Sequence, residues 1–239
     1  MPDDNYIVKT KRVFMVSNGE EAATSPAETA LVRRIIDAAG GLFLTRGFIR
    51  VTADDIAAEM GISKATLYKA FRGKEEILRA VVRELTAEFA ARIEGLIRDE
   101  SLGFVERLAR LFAFVGERIA LFGPLLLRDI QRGAPAVWKE VEEFRREKLL
   151  ANFTSILEAG RKQGLFRGDI DLDLLMKMFL RLVESFINPA EILRSGRSPA
   201  ETFESVIKVF FQGILTDRGR RDFAVRTPAL FEPRKEGGS

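Results

Sequence analysis

The 239-residue chain contains no cysteine and no histidine. Without cysteine there are no disulfides, no thiolate-held zinc or iron–sulfur centres and no thiol nucleophile. Without histidine there are no Ser-His-Asp triads and no imidazole-ligated metals or haems, and the commonest general base is missing. Catalysis by carboxylates or lysine stays open, so an all-α enzyme of that kind is one rival class. No stretch approaches the ~18–20 continuous apolar residues of a membrane span. The longest candidate, 119–127, is broken by Gly123 and Pro124. The apolar run Val13–Val16 is too short for a secretory leader. A reducing cytoplasm fits these absences, and no membrane partner is expected.

Hydrophobic residues make up 46% and charged residues 31% of the chain, a globular rather than disordered balance. With 38 basic and 35 acidic residues, the positions of the charges matter more than their sum. Residues 1–27 show no sustained period and read as a flexible arm with a small basic cluster, Lys9, Lys11 and Arg12. From residue 28 the pattern is helical. Leu31, Ile35, Ala38, Ala39, Leu42 and Phe43 make one apolar face, and Gly47 stops the helix. Thr52 N-caps a short helix with Asp54 and Asp55 in its first turn and Ile56, Ala57 and Met60 on its buried side. Gly61 ends it, and Ser63 caps a third helix containing Leu67 and Phe71. A long helix runs from 74 to about 98. Further helices are expected near 102–122, 124–132, 135–163, 171–188 and 199–215, about nine in all, with no strand alternation. The fold class is therefore all-α. Residues 217–239 read as a flexible tail.

Three short helices with a glycine turn between the second and third form a helix-turn-helix arrangement. The third helix needs one apolar side to hold it, Leu67 and Phe71, and one short, polar or basic side to enter a major groove. From Gly61 to Lys74 there are four basic residues, Lys64, Lys69, Arg72 and Lys74, and no acid. The N-terminus of the long helix adds amide donors suited to phosphate. A solvated basic face on an ordinary helical subdomain has the same pattern, so charge and spacing alone leave the function open.

The stretch from Arg34 to Leu78 resembles the N-terminal domain of the tetracycline-repressor (TetR) family of bacterial transcription regulators. The matching pieces are Leu42-Phe43, Gly47-Phe48, Val51-Thr52, Asp55-Ile56-Ala57, Gly61-Ile62-Ser63, Thr66-Leu67-Tyr68, Phe71 and Lys74-Glu75. The resemblance implies that the third helix reads the major groove. Lys64, Ala65 and Thr66 would then face base edges, Tyr68 and Lys69 would meet phosphates or bases, Thr52 would contact a phosphate, and Lys74 would anchor the backbone; Ser63 completes the DNA-binding set. Ala53 and Ala70 depart from the family pattern, which more often has Thr and a polar residue there.

The resemblance also implies a C-terminal domain, 76–216, that holds a ligand and dimerises, after a DNA-binding domain at 28–75. The segments at 171–188 and 199–215 carry apolar stripes wider than one internal core needs, which independently suggests a second buried surface. A twofold dimer would read a palindromic operator in double-stranded DNA. Leu108, Phe112, Trp138, Phe144, Phe153 and Met178 are candidate ligand-pocket residues, because rings and a soft methionine line apolar pockets well. The acidic run Asp169, Asp171, Asp173 fails as a calcium loop, since Leu174 and Leu180 stand where Gly and Glu are needed; helix capping by Asp171 accounts for it. No metal or cofactor is expected. The expected function is a dimeric DNA-binding repressor released by a small, mainly apolar effector. The alternative is a ligand-free, nucleoid-type DNA binder.

Overall fold

The computed structural model describes residues 26–121, 124–186 and 198–226. The described residues form ten helices: α1 (Pro26–Arg46), α2 (Ala53–Met60), α3 (Lys64–Ala70), α4 (Lys74–Arg98), α5 (Phe104–Leu121), α6 (Pro124–Gly133), α7 (Pro135–Lys162), α8 (Leu172–Phe186), α9 (Pro199–Ile214) and α10 (Asp217–Arg226). The only strand-like feature among them is a single antiparallel bridge, Phe166 to Leu215.

The chain parts into two compact units, Met1–Arg92 with Phe122–Arg145, and Ile93–Leu121 with Arg146–Ser239. In the first, Ile35, Ala39, Leu42 and Phe43 of α1, Ile56 and Ala57 of α2, Leu67 of α3 and Ile77 and Leu78 of α4 are buried together with Val51 and Phe71. Phe43 and Phe48 meet edge to face at 5.4 Å. This unit differs from the expected domain at 28–75. It runs on to Arg92 and takes in α6 and the start of α7, where Ala134 and Val137 are fully buried and Glu140 accepts from Arg79 of α4 at 2.7 Å. A local sequence pattern carries no sign of such long-range packing.

The second unit packs α9 against α5 and α8, and α10 against α5. A set of phenylalanine rings fills it. Phe153 stacks on Phe179 at 3.8 Å, and Phe112, Phe166 and Phe210 each lie within 6 Å of Phe211. The Asp171 side chain accepts from Leu174 N–H at 2.9 Å and caps α8.

Residues 217–226 correct the sequence reading of a flexible tail. They are helical, and Phe223 is 1% exposed. Thr216 caps this helix through Gly219 N–H at 3.0 Å, while its own N–H and hydroxyl reach the carbonyls of Leu165 and Gly164. Gly219 is needed because a Cβ there would run into the Leu165 carbonyl. One ring, one cap and one close approach hold a helix too polar to show a period. The rest of the tail and most of the expected N-terminal arm, residues 227–239 and 1–25, lie outside the described residues.

Candidate nucleic-acid interface

The candidate interface is built from α2, the turn and α3. Thr52 opens α2 with a reciprocal cap: its Oγ1 accepts from Asp55 N–H at 3.1 Å, and the Asp55 carboxylate accepts from Thr52 N–H at 2.7 Å. The Thr52 hydroxyl also donates to Asp55 at 2.6 Å. These bonds from Thr52 hold the Asp55 carboxyl below its ordinary pKa. α2 ends at Gly61, φ +65°, a left-handed position that lets the chain turn sharply. Ser63 then caps α3 by accepting from Thr66 N–H at 3.1 Å, and its Oγ lies 2.8 Å from the Thr66 hydroxyl.

α3 is two-sided. Leu67 is fully buried and Phe71, just after it, is 7% exposed. Ser63, Lys64, Ala65, Tyr68 and Lys69 face outward, Tyr68 at 46% exposure, and Thr66 is half-buried. Arg72 extends the outward cationic side. No partner holds the side chains of Lys69 and Arg72 among the described residues. Lys64 differs. Its ammonium bonds Asp54 of α2 at 2.9 Å, an exposed pair that raises the lysine pKa. The stretch from Gly61 to Lys74 has no acid of its own, but the fold supplies one from ten residues upstream.

Lys74 is a correction. It was expected to anchor the DNA backbone. Its Nζ instead donates to the carbonyls of Phe48 at 2.9 Å, Ile49 at 3.3 Å and Val51 at 2.8 Å. An ammonium has three donors, so none is left for a phosphate. Burial lowers its pKa, and Asp129 opposes that shift. The first turn of α4 also carries Glu75 and Glu76, which already complement its positive end.

The candidate pocket residues fall in both units. Trp138 and Phe144 belong to the first unit, and Leu108, Phe112, Phe153 and Met178 to the second. Phe112 and Phe153 are packed into the ring set, whereas Met178 is 49% exposed. Helical spacing alone does not tell inward from outward positions on α8, where Met178 stands outward. Two further residues matter that the sequence pattern does not single out. Asp54 is a first-turn acid of α2 that also pairs with Lys64. Asp129 is a buried carboxylate on α6, and its signal was an acid set among the apolar positions Leu126, Leu127 and Ile130.

The profile of bacterial regulatory proteins, tetR family, matches residues 35–81, which span all of α2 and α3. The repressor KstR2 of Rhodococcus jostii is 30% identical over 163 residues, covering 62% of this chain and 72% of that protein. The chain belongs to the TetR family. A second relative, the HTH-type transcriptional regulator YvaF of Bacillus subtilis, is 26% identical over 185 residues, 77% of this chain and 96% of its own. The solved SmeT–triclosan complex shares the fold with a TM-score of 0.62 at 18% identity, over 88% of this chain and 98% of that one. As a TetR-family member the chain is a helix-turn-helix, DNA-binding transcriptional regulator, and its relatives are named as regulators rather than enzymes. No helix among the described residues is long and apolar enough to cross a membrane.

Proposed function

We propose that the protein is a homodimeric repressor that reads a palindromic operator with α3 of each protomer and leaves it when a small, mainly apolar effector binds the second unit. The two-sidedness of α3 carries the reading: Leu67 and Phe71 hold the helix while Lys64, Ala65, Tyr68 and Lys69 stand outward. Lys64, Ala65 and Thr66 face base edges, and Tyr68 and Lys69 reach bases or phosphates. Ser63 and Thr52 lie at the flanking backbone. Dimerisation uses α8 and α9, whose outer faces expose Leu174 at 53%, Met178 at 49% and Val209 at 73%. The effector parts the rings around Phe153 and shifts the spacing of the two reading helices. A 100-fold change in operator affinity needs about 2.7 kcal/mol of coupling.

Selection of bound duplexes from a random pool tests this. Enrichment of an inverted repeat, with half-site centres about 34–36 Å apart or a multiple, is expected. Equal binding of all sequences would contradict it. The close packing of Phe112 and Phe153 is the observation that favours the ligand-free, nucleoid-type alternative, and that reading predicts the second result.

A further inference from the structure

Asp129 is the one charged residue buried among the described residues; it is 4% exposed. A carboxylate in that position persists only if it is hydrogen-bonded and paired. Its Oδ2 accepts from the Ile49 N–H at 3.1 Å, and the Arg128 guanidinium lies 3.7 Å from Oδ1. The same short loop is gripped from its other groups by Lys74, whose ammonium takes the carbonyls of Phe48, Ile49 and Val51 and sits 4.4 Å from the centre of the Phe48 ring. Gly133, at the end of α6, closes on that loop as well; a Cβ there would lie 3.3 Å from both Phe48 and Ile49 side chains. All these groups belong to the first unit.

The loop ends at Thr52, the residue that caps α2. α2 and α3 pack on each other and on α1, so the loop sets where the reading helix stands. We infer that Asp129 is a positioning residue for DNA reading: with Lys74 it clamps the loop at 48–51 between α6 and α4, and so fixes the seat of α2 and α3. The inference rests on the DNA-binding reading above. It makes α6 part of the reading module, although α6 lies outside the residues that carry the family pattern, 35–81.

The test uses full-length Asp129→Ala, Asp129→Leu and Asp129→Asn beside wild type. Affinity is measured for the selected operator duplex and for an unrelated duplex, with thermal melting in parallel. Asparagine keeps an acceptor for the Ile49 amide; alanine and leucine do not, and leucine refills the buried space if the alanine variant fails to fold. A clamp predicts that the alanine and leucine variants lose about 10-fold in operator affinity but less than about 2-fold on the unrelated duplex. It also predicts that asparagine stays within about 3-fold of wild type. Unchanged discrimination in the folded leucine variant would overturn the clamp alone, as would equal losses on both duplexes. Wild type that prefers no duplex would instead overturn the DNA-reading assignment on which it rests.

Discussion

At the scale of single residues, charge placement on the reading unit is finely balanced. Asp54 holds Lys64 in an exposed pair, and its own carboxylate would face incoming phosphates. Asp54→Asn is therefore expected to tighten DNA binding and to steepen its salt dependence; a gel-shift titration at several salt concentrations checks this, and weaker binding would contradict it. Asp37 of α1 is a different case. One of its carboxyl oxygens is buried without a hydrogen-bond partner, and desolvation raises its pKa despite the nearby Arg33. Arg33 is itself bonded to Glu84 of α4 at 3.3 Å, and burial raises the Glu84 pKa, with Asp37 and Glu88 adding to it. A carboxyl whose folded pKa is raised binds its proton more tightly when folded, so stability falls as pH climbs from the ordinary value of 3.8. Asp37→Asn should melt higher than wild type at neutral pH, and the gap should close on acidification toward 3.8. A gap that widens instead would put the sign the other way.

At the scale of elements, much of the fold was legible in the sequence because its punctuation is local. Gly47, Thr52, Gly61, Ser63 and Gly73 mark the ends of the first three helices by cap and turn chemistry that needs no partner. The structure places α2 between Thr52 and Gly61 and α3 directly after Ser63, in keeping with those marks. α10 was missed for the opposite reason. Its sequence, DRGRRDFAVR, has no apolar period, and it is held by Phe223, Thr216 and the close approach of Gly219 to Leu165, contacts that only the tertiary fold supplies. Phe223→Ala should cost about 3–5 kcal/mol, as for other large buried rings, read as a lower melting temperature. A loss under about 0.5 kcal/mol, the surface range, would return α10 to the status of a frayed end. The site shows the same division. The outward side of α3 could be read from its spacing, but the capture of Lys74 by three carbonyls and of Lys64 by Asp54 could not, because those partners lie 10 to 26 residues away.

At the scale of the whole molecule, the wide stripes on the last long helices resolve into two faces. Phe210 and Phe211 turn inward, at 7% and 0% exposure, and Val209 turns outward. A charge at Phe210 would therefore disrupt the protomer itself. Val209→Arg is the cleaner probe of assembly: a monomer with near-native melting is expected by light scattering. A stable dimer in that variant would move the interface away from this face of α9. If the proposed dimer forms, its loss should also cost operator affinity, since one half-site contact cannot supply what two linked ones do.

The proposed DNA reading rests on the outward side of α3, and the most direct measurement is operator affinity as a function of salt for wild type, Tyr68→Ala and Lys69→Ala. Both variants should bind more weakly yet melt within about 2 °C of wild type, as exposed positions do. For Lys69→Ala, the slope of log affinity against log salt should flatten by about 0.9 for the lost phosphate contact. Unchanged affinity and slope in both variants, with the fold intact, would show that α3 is not the helix that meets DNA.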